Sequence, residues 1–230
     1  MDTAIVNCDG KSPREINRAI KNELDAGHTE ILVREPGAQH NLGVGLVVPL
    51  TLRFEGSVGY YCGGLIDGAH IHVAGSAGWG AAEGMMSGIV SVEGNAGNGA
   101  GAAIRGGTLV VKGDVGARAG AGIKGGAILI GGDCGYMTGF MGQRGMIVVC
   151  GNAGEALGDS MYETIIFVGG EIVELGNDAV IEEPTAQDRA VLQTLLAPHD
   201  LQPAGDWKKV VSGRKLWNFD RHESVWQAII

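Results

Sequence analysis

The chain is 230 residues long with a mass of 23.7 kDa, a formal charge of −9 and an isoelectric point near 5.1. That length holds one elongated domain plus end pieces, and an acidic balance with no basic run argues against a nucleic-acid footprint. Met1-Asp2-Thr3-Ala4 does not open a basic-then-apolar leader, and no stretch reaches about 18 apolar residues, so the sequence predicts a cytoplasmic protein without secretion or a membrane span.

Residues 1–30 read as a lead-in and a capping helix. Ala4-Ile5-Val6 has strand composition, and Asp9-Gly10 marks a turn. Ser12 supplies an N-cap, Pro13 the first helical position, and Glu15 the reciprocal half of a capping box. Ile16, Ile20 and Leu24 form one apolar edge, and Gly27 sits where the helix needs its C′ residue. An amphipathic helix in this place would cover the open first edge of a stacked sheet.

Residues 31–178 are a repeat. Ile31-Leu32-Val33 and Gly43 to Pro49 make an imperfect first turn, with His40 standing where later turns have a glycine. From there Gly56, Gly75, Gly94, Gly113, Gly132, Gly151 and Gly170 recur every 19 residues, and Gly37 falls on the same grid. A second set, Gly59, Gly78, Gly97, Gly116, Gly135 and Gly154, keeps step three residues later. Apolar residues stand four positions before each head glycine (Leu52, Ile71, Val90, Leu109, Ile128, Ile147, Ile166) and two positions before it (Phe54, Val73, Val92, Val111, Ile130, Val149, Val168). A spacing of two puts both on one face of a strand. A further column, Ile66, Met85, Ile104, Ile123 and Met161, is interrupted by Gly142, and Gly88, Gly107, Gly126 and Gly145 close successive turns.

One such unit cannot bury its own apolar face, but stacked copies do. The sequence therefore predicts an all-β, right-handed parallel β-helix of about seven 19-residue turns, with helical amino- and carboxy-terminal caps. At the usual strand spacing the column is roughly 30–35 Å long. The 41 glycines serve its corners, where positive φ or close backbone approach is needed. The outward column three residues before each head glycine runs Arg53, His72, Ser91 and then Val110, Leu129, Val148, Phe167. Four stacked apolar side chains there require a cover, from this chain's tail or from another subunit.

Residues 179–230 lose the period. Thr185-Ala186-Gln187-Asp188 has the form of a second capping box; Val191, Leu192, Leu195 and Leu196 give the helix an apolar side, and Pro198 ends it. The stretch from Trp207 to Ile230, which includes Trp217 and Trp226, is expected to lie along the apolar wall or to dock onto a partner.

No constellation reads as a catalytic set. Gly120-Ala121-Gly122-Ile123-Lys124-Gly125 matches G-x-G-x-x-G, but it leads into a strand rather than a helix, so it reads as a repeat corner. Asp9-Gly10-Lys11-Ser12 looks like the end of a phosphate-binding loop, yet Ile5 stands where the leading glycine belongs. Asn95, Asp114, Asp133 and Asn152 should stack on successive turns as turn residues, with a calcium ion or the nearby Arg105 and Lys124 as possible relief for two neighbouring carboxylates. His70 and His72 share a strand without a third ligand nearby. Cys8, Cys62, Cys134 and Cys150 show no C-x-x-C spacing, and Cys134 shares a small-apolar column with Val58, Ala77, Ala96, Val115 and Ala153, as a packed thiol would. Cys8 lies seven residues inside the chain, unlike a nucleophile at a processed amino terminus, and Glu83, Glu155 and Glu163 have no pairing logic.

The phrase Gly113-Asp114-Val115-Gly116, followed by Gly120 to Gly126, resembles the glycine-rich repeat of the carboxy-terminal β-helix domain of the glutamate synthase large subunit. Gly94-Asn95-Ala96-Gly97 and Gly151-Asn152-Ala153-Gly154 look like the same phrase, and the similarity covers roughly residues 30–178. The resemblance implies a stand-alone form of that domain, such as the β-helix subunit of N-methylglutamate synthase. It would be a non-catalytic scaffold in a hetero-oligomer with an amidotransferase-like subunit and a subunit carrying flavin mononucleotide (FMN) and an iron–sulfur cluster. No catalytic, cofactor-binding or metal-binding residue is carried over to this chain. Two alternatives stay open: the β-helix subunit of formylmethanofuran dehydrogenase, and a free-standing β-helix enzyme such as a polysaccharide lyase or an acyltransferase. A hexapeptide acyltransferase, however, would repeat every six residues.

Overall fold

The structure, a computed structural model, describes residues 3–213. Its sheet begins with β1 (Ala4–Asn7), which pairs in parallel with β2 (Glu30–Arg34), Ala4 opposite Ile31. The lead-in strand is thus the first rung, and α1 (Pro13–Asp25) is the crossover to the second. The capping box forms as the sequence implies: Ser12 Oγ accepts the Glu15 N–H, and the Glu15 carboxylate accepts the Ser12 N–H at 2.9 Å. Ile16 and Ile20 are buried in the main core, and Gly27 follows the helix with a left-handed φ of +92°. Asn17 fixes the helix to the first turn, accepting the Gly43 N–H and donating to the Asn41 carbonyl at 2.7 Å.

The regular turns follow as β3 (Thr51–Glu55), β4 (His70–Val73), β5 (Ile89–Val92), β6 (Thr108–Val111), β7 (Lys124–Ile130), β8 (Arg144–Val149) and β9 (Glu163–Val168). Each pairs in parallel with the next and keeps the 19-residue step, Leu52 opposite Ile71 and Ile71 opposite Val90. One irregularity lies between Lys124 and Ala127, where Lys124 faces Arg144. A second wall is built of single parallel bridges joining Val58, Ala77, Ala96, Val115, Cys134, Ala153 and Ile172. Small side chains suit that wall because the strand opposite it already sends in two large ones per turn. Ile66, Met85, Ile104 and Ile123 fill the space between the walls and are fully buried. The break at Gly142 has a physical cause. In the next turn Thr164 replaces the closing glycine, and its hydroxyl comes within 2.6 Å of where a Gly142 Cβ would stand.

The glycines divide their labour differently from a simple corner rule. From Gly75 onward the head glycines have no positive φ; they are glycine because the previous turn is too close for a side chain. A Cβ at Gly132 would collide with Asp114 Oδ1 and with the backbone of Gly113. Positive φ falls instead five, seven and nine residues past the head glycines from Gly56 to Gly151, and at the closing glycines Gly88, Gly107, Gly126 and Gly145; non-glycine residues share the first three of these columns. Tyr61, Leu65, Ala82, Ala103, Arg118, Met137, Met141, Ala156 and Ser160 all adopt φ between +50° and +60°.

The apolar outward column is covered by this chain. Val110, Leu129, Val148 and Phe167 pack against Leu192 and Leu196 of α2 (Ala186–Leu196), with Leu201 and Trp207 completing the cluster. The expectation of a carboxy-terminal helical cap is therefore corrected: α2 lies along the side of the column, drawn there by the stripe left uncovered on β6 to β9. Thr185 and Asp188 form its capping box, and Lys209 Nζ reaches Asp188 at 3.1 Å. After β9 the sheet continues with an antiparallel pair. β11 (Lys208–Ser212) pairs with β9, Val210 opposite Ile166, and β10 (Ala179–Glu182) pairs with β11. Trp217 and Trp226 lie outside the described residues.

Asp159 ties the last loop to the column. Its Oδ1 accepts the Ser160 hydroxyl at 2.6 Å, and its Oδ2 accepts the Asn177 amide N–H and side-chain N–H at 3.1 and 2.8 Å. The Ser160 hydrogen bond, then those from Asn177, hold this carboxyl below the usual range against the opposing effect of burial. A depressed folded pKa means stabilisation that is fully present above the unfolded value of about 3.9 and lost as pH falls through the lower folded value. Asp159→Asn is expected to lower the melting temperature at neutral pH, with the gap to wild type narrowing as the pH is taken below about 3.9. A second expectation concerns the glycines. Gly132→Ala should cost about 1–3 kcal/mol in urea unfolding through overpacking, and Gly122→Ala less, because a Cβ there meets nothing within 4 Å and Leu65, Ala103 and Met141 already occupy its column.

Candidate functional site

The polar column beside the head glycines is structural. Ser57 Oγ accepts the Ser76 N–H, Ser76 Oγ the Asn95 N–H, and Asn95 Oδ1 the Asp114 N–H. Asp114 Oδ1 then accepts the Asp133 N–H, Asp133 Oδ1 the Asn152 N–H, and Asn152 Oδ1 the Glu171 N–H, at 2.6–2.9 Å. The two carboxylates each receive a backbone donor from the next turn, so neither a cation nor Arg105 and Lys124 is required to hold them one rung apart. Among the described residues no group of three or more His, Cys, Asp or Glu is placed to hold a metal ion.

Gly120 to Gly125 enters β7 directly, without a helix, and Asp9 to Ser12 is the lead-in to the α1 capping box. His70 and His72 sit two apart on β4, and His72 turns toward its own column. His72 Nδ1 lies 3.0 Å from Ser91 Oγ and 3.8 Å from Glu93 Oε1, and Glu93 Oε2 lies 2.8 Å from Lys112 Nζ. Serine, histidine and glutamate do meet here, a grouping the sequence reading missed. Hydroxyl and carboxylate, however, approach the same ring nitrogen. A nucleophilic relay needs one on each nitrogen, so this arrangement is a hydrogen-bonded surface rung and not a triad. Both partners are 19 or 21 residues apart, so the repeat grid held the signal.

Two further features distinguish individual turns. His40, Tyr60 and Trp79 form a continuous stack, with ring centroids 4.3 and 5.2 Å apart, and Trp79 is 53% exposed. At the carboxy end a cleft of about 700 Å³ is lined by Glu171, Glu183, Arg189, Asp206, Trp207 and Lys208 among others. Lys208 Nζ donates to the Gly170 carbonyl at 2.7 Å and sits 3.6 Å from Glu171. The cleft mixes charges of both signs around one indole, and among the described residues it places no nucleophile beside a base.

The chain is 53% identical over 211 residues to Protein GlxC of Rhizobium meliloti (strain 1021), a match that covers 90% of this chain and 92% of that protein. The chain belongs to the GlxC family. No protein-family model matches it.

The four thiols of this GlxC-family chain are all buried. Burial pushes Cys62 up to about 12 and Cys134 and Cys150 up to about 11, the hydroxyl of Thr138 offsetting part of the shift at Cys134. Cys8 is raised by burial as well. A thiolate is the reactive form, so these side chains behave as small apolar residues and not as nucleophiles. Iodoacetamide at neutral pH is expected to leave all four unmodified in the native protein over a time that modifies them fully in guanidinium, as read by intact-mass spectrometry.

Proposed function

We propose that this chain is the non-catalytic β-helix subunit of a glutamate-synthase-like complex in the cytoplasm, and specifically of N-methylglutamate synthase. That complex converts glutamate and methylamine to N-methylglutamate and ammonia. The observation that carries the reading is the use made of the repeat phrase that resembles glutamate synthase. Its Asn and Asp side chains are spent on the backbone of the next turn, and its thiols are packed inside. What remains for other molecules is surface. Tyr60, Tyr61, Leu65 and Trp79 lie exposed on two adjacent turns, the kind of apolar cluster that a subunit interface covers. Amine release and redox chemistry then belong to the partners, an amidotransferase-like subunit and a subunit holding FMN and an iron–sulfur cluster.

The test is affinity purification of the tagged chain from its own organism, followed by native mass spectrometry and analysis of flavin, iron and sulfide. The expected result is an assembly containing FMN, iron–sulfur and both partners, with methylamine-dependent formation of N-methylglutamate. A chain that purifies alone and turns over a substrate, or an assembly that contains molybdenum or tungsten, overturns the proposal.

A further inference from the structure

We infer that the groove between α1 and the first turn is a docking surface for an acidic, apolar segment of a partner protein. Along one side of the groove, Arg14, Arg18 and Lys21 stand at helical spacing on the outward stripe of α1, all exposed. None of the three forms an ion pair among the described residues. Asp25 closes the stripe at the carboxy end, leaving the groove cationic in a chain whose net charge is −9. The opposite side is apolar: Val44 is half-buried, and Val47 and Val48 are 66% and 44% exposed. Two cavities of about 380 and 480 Å³, both lined by Lys21, mark the trough.

The trough is fixed before anything enters it. Asn17 bonds α1 to Asn41 and Gly43 of the first turn, and Ile16 and Ile20 anchor the helix in the core. A ligand therefore meets a rigid surface and loses little affinity to ordering it. The two walls together specify the occupant. Carboxylates answer the unpaired guanidinium and ammonium groups, and apolar side chains cover the valines. A nucleic acid offers charge but nothing to bury Val47 and Val48.

This inference rests on the reading of the chain as a subunit. Its test compares the assembly purified from the native organism with wild type, R14E/R18E/K21E and V47D/V48D. A control, R105E/R118E/K124E, makes the same change in charge at exposed positions elsewhere on the column. All the changes are at solvent-facing positions, and the thermal transition of each isolated chain verifies the fold. The expected result is that both groove variants lose one partner subunit by about tenfold or more in native mass spectra while the control retains it. A groove-variant assembly with wild-type composition and salt resistance overturns the inference and leaves the subunit reading standing. So does cosedimentation of wild type with phosphatidylserine vesicles that R14E/R18E/K21E abolishes. A wild-type chain that purifies without any partner overturns both.

Discussion

A side-chain oxygen placed where a Cβ would otherwise stand locks each turn to the next. Asn95 Oδ1 accepts the Asp114 N–H, and a Cβ on Gly113 would collide with that same oxygen. The arrangement recurs with Ser57 and Gly75, Ser76 and Gly94, Asp114 and Gly132, Asp133 and Gly151, and Asn152 and Gly170. Asn98 with Gly116, and His40 with Gly59, use it at the second glycine column. Glycine and acceptor are two halves of one device. The missing side chain makes room for the oxygen, and the oxygen satisfies an N–H that the sharp corner leaves without a strand partner. Substituting either half breaks the other, which is why the 19-residue frame runs without a slip.

Because the corners are set internally, the outward positions are free to vary, and their variation decides what covers each part of the wall. The column on the strand wall runs Ile5, Leu32, Arg53, His72, Ser91, Val110, Leu129, Val148, Phe167 and finally Lys209. Its polarity changes between Ser91 and Val110, and the cover changes with it. α2 and Leu201 seal the apolar half, while His199 and Asp200, beyond the end of α2, come near Lys112 at the start of that half. His199 is held below its ordinary pKa by burial and then by Lys112. The upstream half carries its own polar rungs, Arg34 to Glu55 and His72 to Ser91, and needs no apolar cover from the described residues.

Much of this was legible in the sequence, because a fixed period converts linear spacing into contact. Leu52 opposite Ile71, the bridge column through Cys134, and both capping boxes follow from counting. What a period cannot distinguish is two glycines that serve different ends. Gly120 and Gly132 look alike in sequence, yet one has φ of +65° and the other is excluded from bearing a side chain by its neighbour. Contacts off the grid were equally hidden. Asp159 meets Asn177 at a separation of 18, and the antiparallel return of β11 beside β9 has no periodic signature at all. The side-lying position of α2 was half visible, since the stripe needing cover could be read but not which of several apolar segments supplies it.

The ends of the column carry the remaining constraint. A stack of identical parallel rungs offers the next molecule a ready template at each face, and an unmodified column would grow into a filament. The carboxy end leaves the 19-residue frame. β11 runs antiparallel to β9, and the edge strand β10 runs antiparallel to β11, so the last edge belongs to a short antiparallel pair and not to a regular rung, and the exposed Glu182 and Glu183 add like charge beside it. The amino end presents β1, only four residues long and flanked by the α1 crossover. Short edge strands and flanking charge are the ordinary defences of a sheet against self-association. They protect the rung faces and leave the lateral surfaces open to contact. The aromatic stack of His40, Tyr60 and Trp79 and the basic trough beside α1 both lie on the early turns, which no other segment among the described residues covers.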